Sequence, residues 1–131
     1  YAISYPLPTT NPDGMNIEIF NYSTLKKTNK EAFLPSEREH VTPFIYNSRK
    51  FKFKRKDLKK DLSKYRFCID YKKDFSLFCK LIDHFGKSIY NVKMMDLVDY
   101  VKKNPKLIKY QKSIKRNEGW TSVLIKDEKF K

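Results

Sequence analysis

The spacing of apolar residues changes abruptly near the middle of the chain. Over residues 65–70 it alternates, so Tyr65, Phe67 and Ile69 face one way and Arg66, Cys68 and Asp70 the other. From about Lys72 the spacing becomes helical, through Phe75, Phe78, Cys79, Ile82 and Phe85, and Gly86 marks the stop. A strand feeding directly into a helix is the building unit of α/β sheets, and it sets Asp70 at the strand's C-terminal end, where open sheets of this class hold their ligands. One carboxylate is half of a magnesium site, since Mg²⁺ takes only one or two from protein and completes its octahedron with water and substrate phosphates. The plainer alternative fits the same residues: Asp70 caps the helix and Asp74 favours its positive end.

Other elements are predicted around this junction. Residues 1–14 read as a loop closed by Asn11-Pro12-Asp13-Gly14. MNIEIF (15–20) alternates as a half-buried strand with Ile17 and Ile19 on one face. Ser23 is placed to cap a helix running to about Ala32, and Pro35 opens a short helix that Pro43 must kink or split. Phe51 and Phe53 alternate with Lys52 and Lys54 as in a strand with an aromatic inner face, and residues 57–62 read as a turn or short helix. Asn91 can cap a helix with Val92, Met95, Val98 and Val101 as its stripe, ended by Asn104-Pro105. One more short helix, a turn at 117–120 and a possible strand at 121–125 complete the chain. The expected class is α/β with few short strands flanked by helices, in one domain spanning 1–131; three short strands make a poor sheet alone. The chain starts at Tyr1 and reads as a piece of a longer polypeptide.

Charge is the next constraint. The formal net charge of +14 suggests a polyanion partner. Only five of the 29 basic residues are arginine, however, and arginine is the better reader of phosphates and bases. In the basic run 49–60 the alternation puts phenylalanines and lysines on opposite faces, so they do not line one groove. Nucleic acid is thus not the expected partner, although a basic non-enzymatic module binding a polyanion stays open as the alternative. No apolar run approaches the roughly 20 residues of a membrane span. Cys68 and Cys79 lack metal spacing and read as two thiols in a reducing cytoplasm.

Glu37-Arg38-Glu39-His40 is a second candidate for chemistry, because residues three apart on a helix share a face and an acid and an imidazole could meet one substrate there. A solvated first turn explains the same residues.

Taken together, PDGMNIEIF (12–20), LPSEREHVTPFIY (34–46), YRFCIDYKKDF (65–75) and NPKLIKYQKSIKRNEGW (104–120), in that order, resemble the C-terminal half of the bacterial cytidylyltransferases of the spore-coat polysaccharide biosynthesis protein F type, which are related to sugar-acid cytidylyltransferases. The resemblance implies the C-terminal portion of a Rossmann-like nucleotidyltransferase domain, lacking the nucleotide-binding N-terminal half. It further implies a cytoplasmic, homodimeric enzyme that uses Mg²⁺ to transfer CMP from CTP onto a sugar in surface polysaccharide biosynthesis, the fragment alone being inactive. By the same resemblance Asp70 is a metal ligand, Arg66 orients Asp70 or holds a phosphate, and Glu18, Arg38, Glu39 and His40 lie toward the acceptor sugar or a subunit interface. Asn16 stands where the family has aspartate, and Lys72-Lys73 where it has Pro-Glu.

Overall fold

The computed structural model describes residues 2–3, 9–114, 116 and 118–130. The chain divides into two compact units, one formed by residues 1–10, 16–59 and 116–131, the other by 11–15 and 60–115. Residues 1 and 4–8 of the loop expected over 1–14 lie outside the described residues, as does residue 117 of the expected turn, and residues 2–3 of that loop are a strand instead.

In the first unit, β1 (Ala2–Ile3), β2 (Glu18–Ile19) and β3 (Lys54–Arg55) form a sheet in the order β2-β1-β3. Ala2 stands opposite Ile19 in the antiparallel pair and opposite Lys54 in the parallel one. Two-residue strands bury little, so helices carry the unit. The strand expected over 15–20 shrinks to β2, and its isoleucine face turns outward, with Ile17 66% and Ile19 62% exposed. The strand expected at 51–54 likewise moves to β3, leaving Phe53 exposed while the Phe51 ring meets Phe44 edge-on.

Helix α1 (Tyr22–Glu31) is capped by Asn21, whose Oδ1 accepts from Thr24 N at 2.8 Å; Ser23, the expected cap, instead donates to that same oxygen. Pro35 and Pro43 open α2 (Pro35–His40) and α3 (Pro43–Asn47), so the split expected at Pro43 is present. The segment expected to be a turn and a strand is instead helical, α7 (Glu118–Asp127). Its Asp127 is buried and takes Ser36 N at 2.9 Å and Ser36 Oγ at 2.5 Å, satisfying a donor that α2 leaves orphaned in its first turn. That anchorage is long-range in sequence, and local spacing cannot reveal it. Among the described residues of this unit, Ala32, Pro43, Phe44, Ile45 and Val123 are buried apolar side chains.

In the second unit the strand expected over 65–70 is reduced to a single parallel bridge between Asp13 and Arg66, with Asp13 N donating to Tyr65 O at 2.9 Å and Phe67 N to Asp13 O at 2.8 Å. Tyr65 and Phe67 are buried where the bridge forms, but so is Arg66 between them, and beyond the bridge Ile69 is 57% exposed. Gly14 makes the bridge possible. Its φ is +85°, and a Cβ there would stand 2.6 Å from Phe67 O.

Helices α4 (Lys72–Phe85), α5 (Met94–Lys103) and α6 (Pro105–Gln111) follow, with a 3-10 turn over Gly86–Asn91. The N-cap of α5 is Lys93 rather than Asn91, and Asp96 reaches back to Lys93 N at 2.9 Å. Pro105 both ends α5 and opens α6. Leu77, Leu81, Val98, Val101, Leu107 and Leu62 are buried, and a fully buried aliphatic such as Leu81 contributes roughly 1.5–3 kcal/mol. The period expected for α4 is present, but its buried stripe runs through Leu77 and Leu81, while Phe75 and Ile82 are exposed.

Candidate functional site

The second unit concentrates its chemistry where the bridge at Arg66 meets the first turn of α4. The Arg66 side chain is almost fully enclosed and faces three carboxylates. Nε and Nη2 grip Asp74 as a fork, at 3.0 and 2.8 Å; Nη1 donates to Asp13 at 2.7 Å, and Nη2 also donates to Asp70 at 2.5 Å. The guanidinium also stands 5.8 Å from the Tyr71 ring centroid. A planar fork with five donors is the group suited to such sharing, and lysine could not replace it.

Asp74 is the structural hub. Besides the Arg66 fork, its Oδ2 accepts from Asp70 N at 3.1 Å and Tyr71 N at 3.2 Å, closing the start of α4 from the third helical position. Burial pushes its carboxyl up, but Arg66 and the two backbone N–H groups outweigh burial and hold it below its usual value. Asp74 in turn raises Arg66 further above the range in which it could lose its proton, against burial and with help from Asp70. Burial, with Asp13 nearby, lifts the Cys68 thiol to about 11, so it stays protonated at neutral pH.

Asp70 differs from its neighbours. Its side chain is 63% exposed against 2% for Asp74 and 14% for Asp13. Of the three carboxylates it is the one available to solvent, and it is oriented both through its backbone by Asp74 and through one oxygen by Arg66. Among the described residues no trio of His, Cys, Asp or Glu gathers into a metal cage. A lone oriented carboxylate does fit a Mg²⁺ ion, which takes the rest of its ligands from water and phosphate. Nε, Nη1 and Nη2 of Arg66 each donate to at least one of these carboxylates.

The other expected site residues belong to the first unit. Glu18 is half-buried on β2; burial raises its carboxyl, and a hydrogen bond with Thr42 partly offsets the rise. Glu39 and His40 end α2, with Oε1 and Nε2 3.9 Å apart and both side chains substantially exposed. Arg38 is committed elsewhere: its Nη1 donates to Asn29 O at 2.9 Å and Asn29 Oδ1 at 3.1 Å, tying α2 to the end of α1. Glu37, the expected partner of His40 on one face, is buried, and its Oε2 accepts from Phe33 N at 3.2 Å and Leu34 N at 3.3 Å as a helix-start brace. The residue beside His40 is instead Trp120 of α7, with ring centroids 5.0 Å apart.

Sequence spacing did not single out Asp13, Thr42 or Trp120. Asp13 reads as a turn residue, and its approach to Arg66 spans 53 positions. Only Gly14, beside it, hinted at a close backbone contact.

No family model matches the chain. A solved cytidylyltransferase from Leptospira borgpetersenii serovar Hardjo-bovis has a TM-score of 0.71 to it and is 36% identical, over 82% of this chain and 44% of that one. An uncharacterized protein of Methanocaldococcus jannaschii is 36% identical over 97 residues, which is 72% of this chain and 39% of that protein. The chain thus spans less than half the length of either. Over most of its own length it has the fold of part of a cytidylyltransferase.

Proposed function

We propose that this chain is the acceptor-side part of a sugar cytidylyltransferase, which moves CMP from CTP to a sugar hydroxyl and releases pyrophosphate during the building of surface polysaccharide. The observation that carries the reading is the exposed Asp70 carboxylate, held at the start of α4 by Arg66 and Asp74, in a chain similar to a solved cytidylyltransferase.

Asp70 would hold Mg²⁺, which when bound neutralises charge that spreads over the transferring phosphates. The chain's own contribution is preorganisation. Asp74 fixes the backbone at Asp70, Arg66 fixes one of its oxygens, and Asp13 locks Arg66 from the other side, so the exposed carboxylate is held in place before a ligand arrives. Glu18, Glu39 and His40 of the first unit are the groups proposed for the acceptor, while Arg38 supports them by bracing α2. A second copy of the chain and a cytoplasmic setting belong to the same proposal; no described helix is long and apolar enough to cross a membrane.

The phosphate-gripping loop that the resemblance assigns to an N-terminal half has no counterpart in these residues, so the 131-residue chain alone should not turn over CTP. Isothermal titration of the longer enzyme with CTP and Mg²⁺ tests the reading. Saturable, Mg²⁺-dependent binding is expected, and no binding of CTP in the presence of Mg²⁺ would overturn it.

A further inference from the structure

We propose that a cleft between α4 and α6 of the second unit binds a small anionic amphiphile, a short apolar body carrying one carboxylate or phosphate head. None of the residues proposed above for the sugar or the metal is needed for it, and it stands whether or not the cytidylyl reading does.

Lys73, Ser76, Leu77 and Lys80 follow the i, i+3, i+4, i+7 spacing, so they share one face of α4. Leu107 of α6 and Ile114 beyond it complete the lining, and the cavity measures about 290 Å³. Ligand pockets begin at about 300 Å³. At the roughly 30 Å³ that each water occupies in the liquid, this one holds about ten non-hydrogen atoms. Leu77 and Leu107 are buried, which makes the floor apolar, while Lys73, Ser76 and Lys80 are exposed at the rim.

The charge at the rim is positive and uncompensated. Lys73 Nζ donates to the neutral Ser113 Oγ at 3.4 Å, which draws it toward the segment that bears Ile114. Among the described residues no carboxylate pairs with Lys73 or Lys80. Asp74 is the acid of the lining, but both its oxygens are engaged, by Arg66 and by the N–H groups of Asp70 and Tyr71. Its charge is answered inside the protein and does little to repel an anion. The lysine heads lie on flexible four-carbon stems, so both can reach one anionic group although their backbones are roughly 10 Å apart along the helix. A head alone would meet only solvated lysines, which bind weakly. An apolar body gains burial on the leucine floor, and the two parts together match the lining. Lys73 also stands where the resembled family has glutamate, so this charge is the chain's own.

The test is an amide NMR titration of the 131-residue chain with octanoate and with hexyl phosphate, against hexyltrimethylammonium and inorganic phosphate. At least one of the two amphiphilic anions should shift amides within 73–80 and 106–114 saturably. A dissociation constant on the order of 1 mM is expected, within reach of about ten non-hydrogen atoms. The tighter of the two names the head, a carboxylate as in a fatty acid or a phosphate monoester as in a lipid phosphate. Hexyltrimethylammonium has the body with the opposite charge and inorganic phosphate has the head without the body, and each should bind about tenfold or more weaker. Lys73→Met combined with Lys80→Met keeps good helix formers at two exposed positions. It should preserve the spectrum of the folded chain and weaken the anions about tenfold. The proposal is overturned if neither amphiphilic anion gives saturable shifts by about 20 mM, well above the expected constant, or if hexyltrimethylammonium or inorganic phosphate binds as tightly. It is equally overturned if the shifts gather instead around His84, Asp99 and Tyr100, which line another cleft, or if the double variant binds like the parent chain.

Discussion

Arg66→Met keeps the aliphatic stem and removes the charge that three carboxylates share. Asp74 is 2% exposed and Asp13 14%, so neither can recover its lost partner from water. Breaking a buried pair from one side costs about 3–5 kcal/mol, because the remaining charge stays desolvated. That is a large share of the roughly 5–15 kcal/mol by which a native domain is stable. With a urea slope of about 1–3 kcal/mol per molar, the midpoint should fall by about 2 M. The pH dependence is a sharper test than the size. In the native chain Asp74 lies below its ordinary value, so its stabilisation is complete above the unfolded value near 3.9 and is lost as pH falls through the lower folded value. In the variant, burial acts without the guanidinium and pushes the same carboxyl up, so the deficit should shrink as pH falls from 7 toward 4 and the group takes a proton. Urea melts followed by far-ultraviolet circular dichroism at pH 7, 5 and 4 would measure both effects. A loss under about 1 kcal/mol at pH 7, or a deficit independent of pH, refutes Arg66 as the electrostatic centre of this unit.

Three further substitutions probe the frame. Gly14→Ala should lose about 2–4 kcal/mol in the same melts, since φ +85° and a contact of 2.6 Å with Phe67 O each disfavour a side chain. Asp127→Ala leaves the buried Ser36 N–H and hydroxyl unpaired and should cost about 2–4 kcal/mol, with hydrogen exchange in α2 rising most. Glu18→Gln should be at least as stable as the parent at pH 7 and lose that advantage near pH 4. A carboxyl raised on folding contributes fully below its unfolded value near 4.3 and loses the contribution as pH rises through the folded one.

Most helices were legible because they are written locally, α7 being the exception. The period of α4, the stripe of α5 through Val98 and Val101, and the split at Pro43 all follow from neighbours within a turn or two. Strands were not, because a strand depends on a partner elsewhere in the chain. Alternation over 15–20 and 65–70 is real in sequence, yet pairing reduces it to β2 and one bridge, and Ile17, Ile19 and Ile69 stay exposed. The face of α4 was misread for the same reason. Both Phe75-Ile82 and Leu77-Leu81 fit a helical stripe, and only tertiary contacts choose between them. Residues 121–125 are β-branched and apolar enough for a strand, and the helix they form is held by the buried Ser36–Asp127 contact instead. At the site, the junction of Arg66, Asp70 and α4 was visible from the change of period. Its partner Asp13 was not, because 53 positions separate it from Arg66. The motifs at 12–20, 34–46, 65–75 and 104–120 pointed to the cytidylyltransferases, and the solved relative agrees at that level.

The most direct test of the account is Asp70→Asn in the full-length cytidylyltransferase proposed for this chain, titrated with CTP and Mg²⁺ and assayed for pyrophosphate release. Asp70 is 63% exposed, so the substitution should change stability by no more than about 0.5 kcal/mol. If Asp70 meets the metal–phosphate complex, turnover should drop by roughly two orders of magnitude or more while the fold is kept, because the amide still offers Arg66 an acceptor oxygen but not the charge a metal needs. Unchanged turnover and unchanged Mg²⁺-dependent CTP binding would contradict the account and leave Asp70 as one more carboxylate around Arg66.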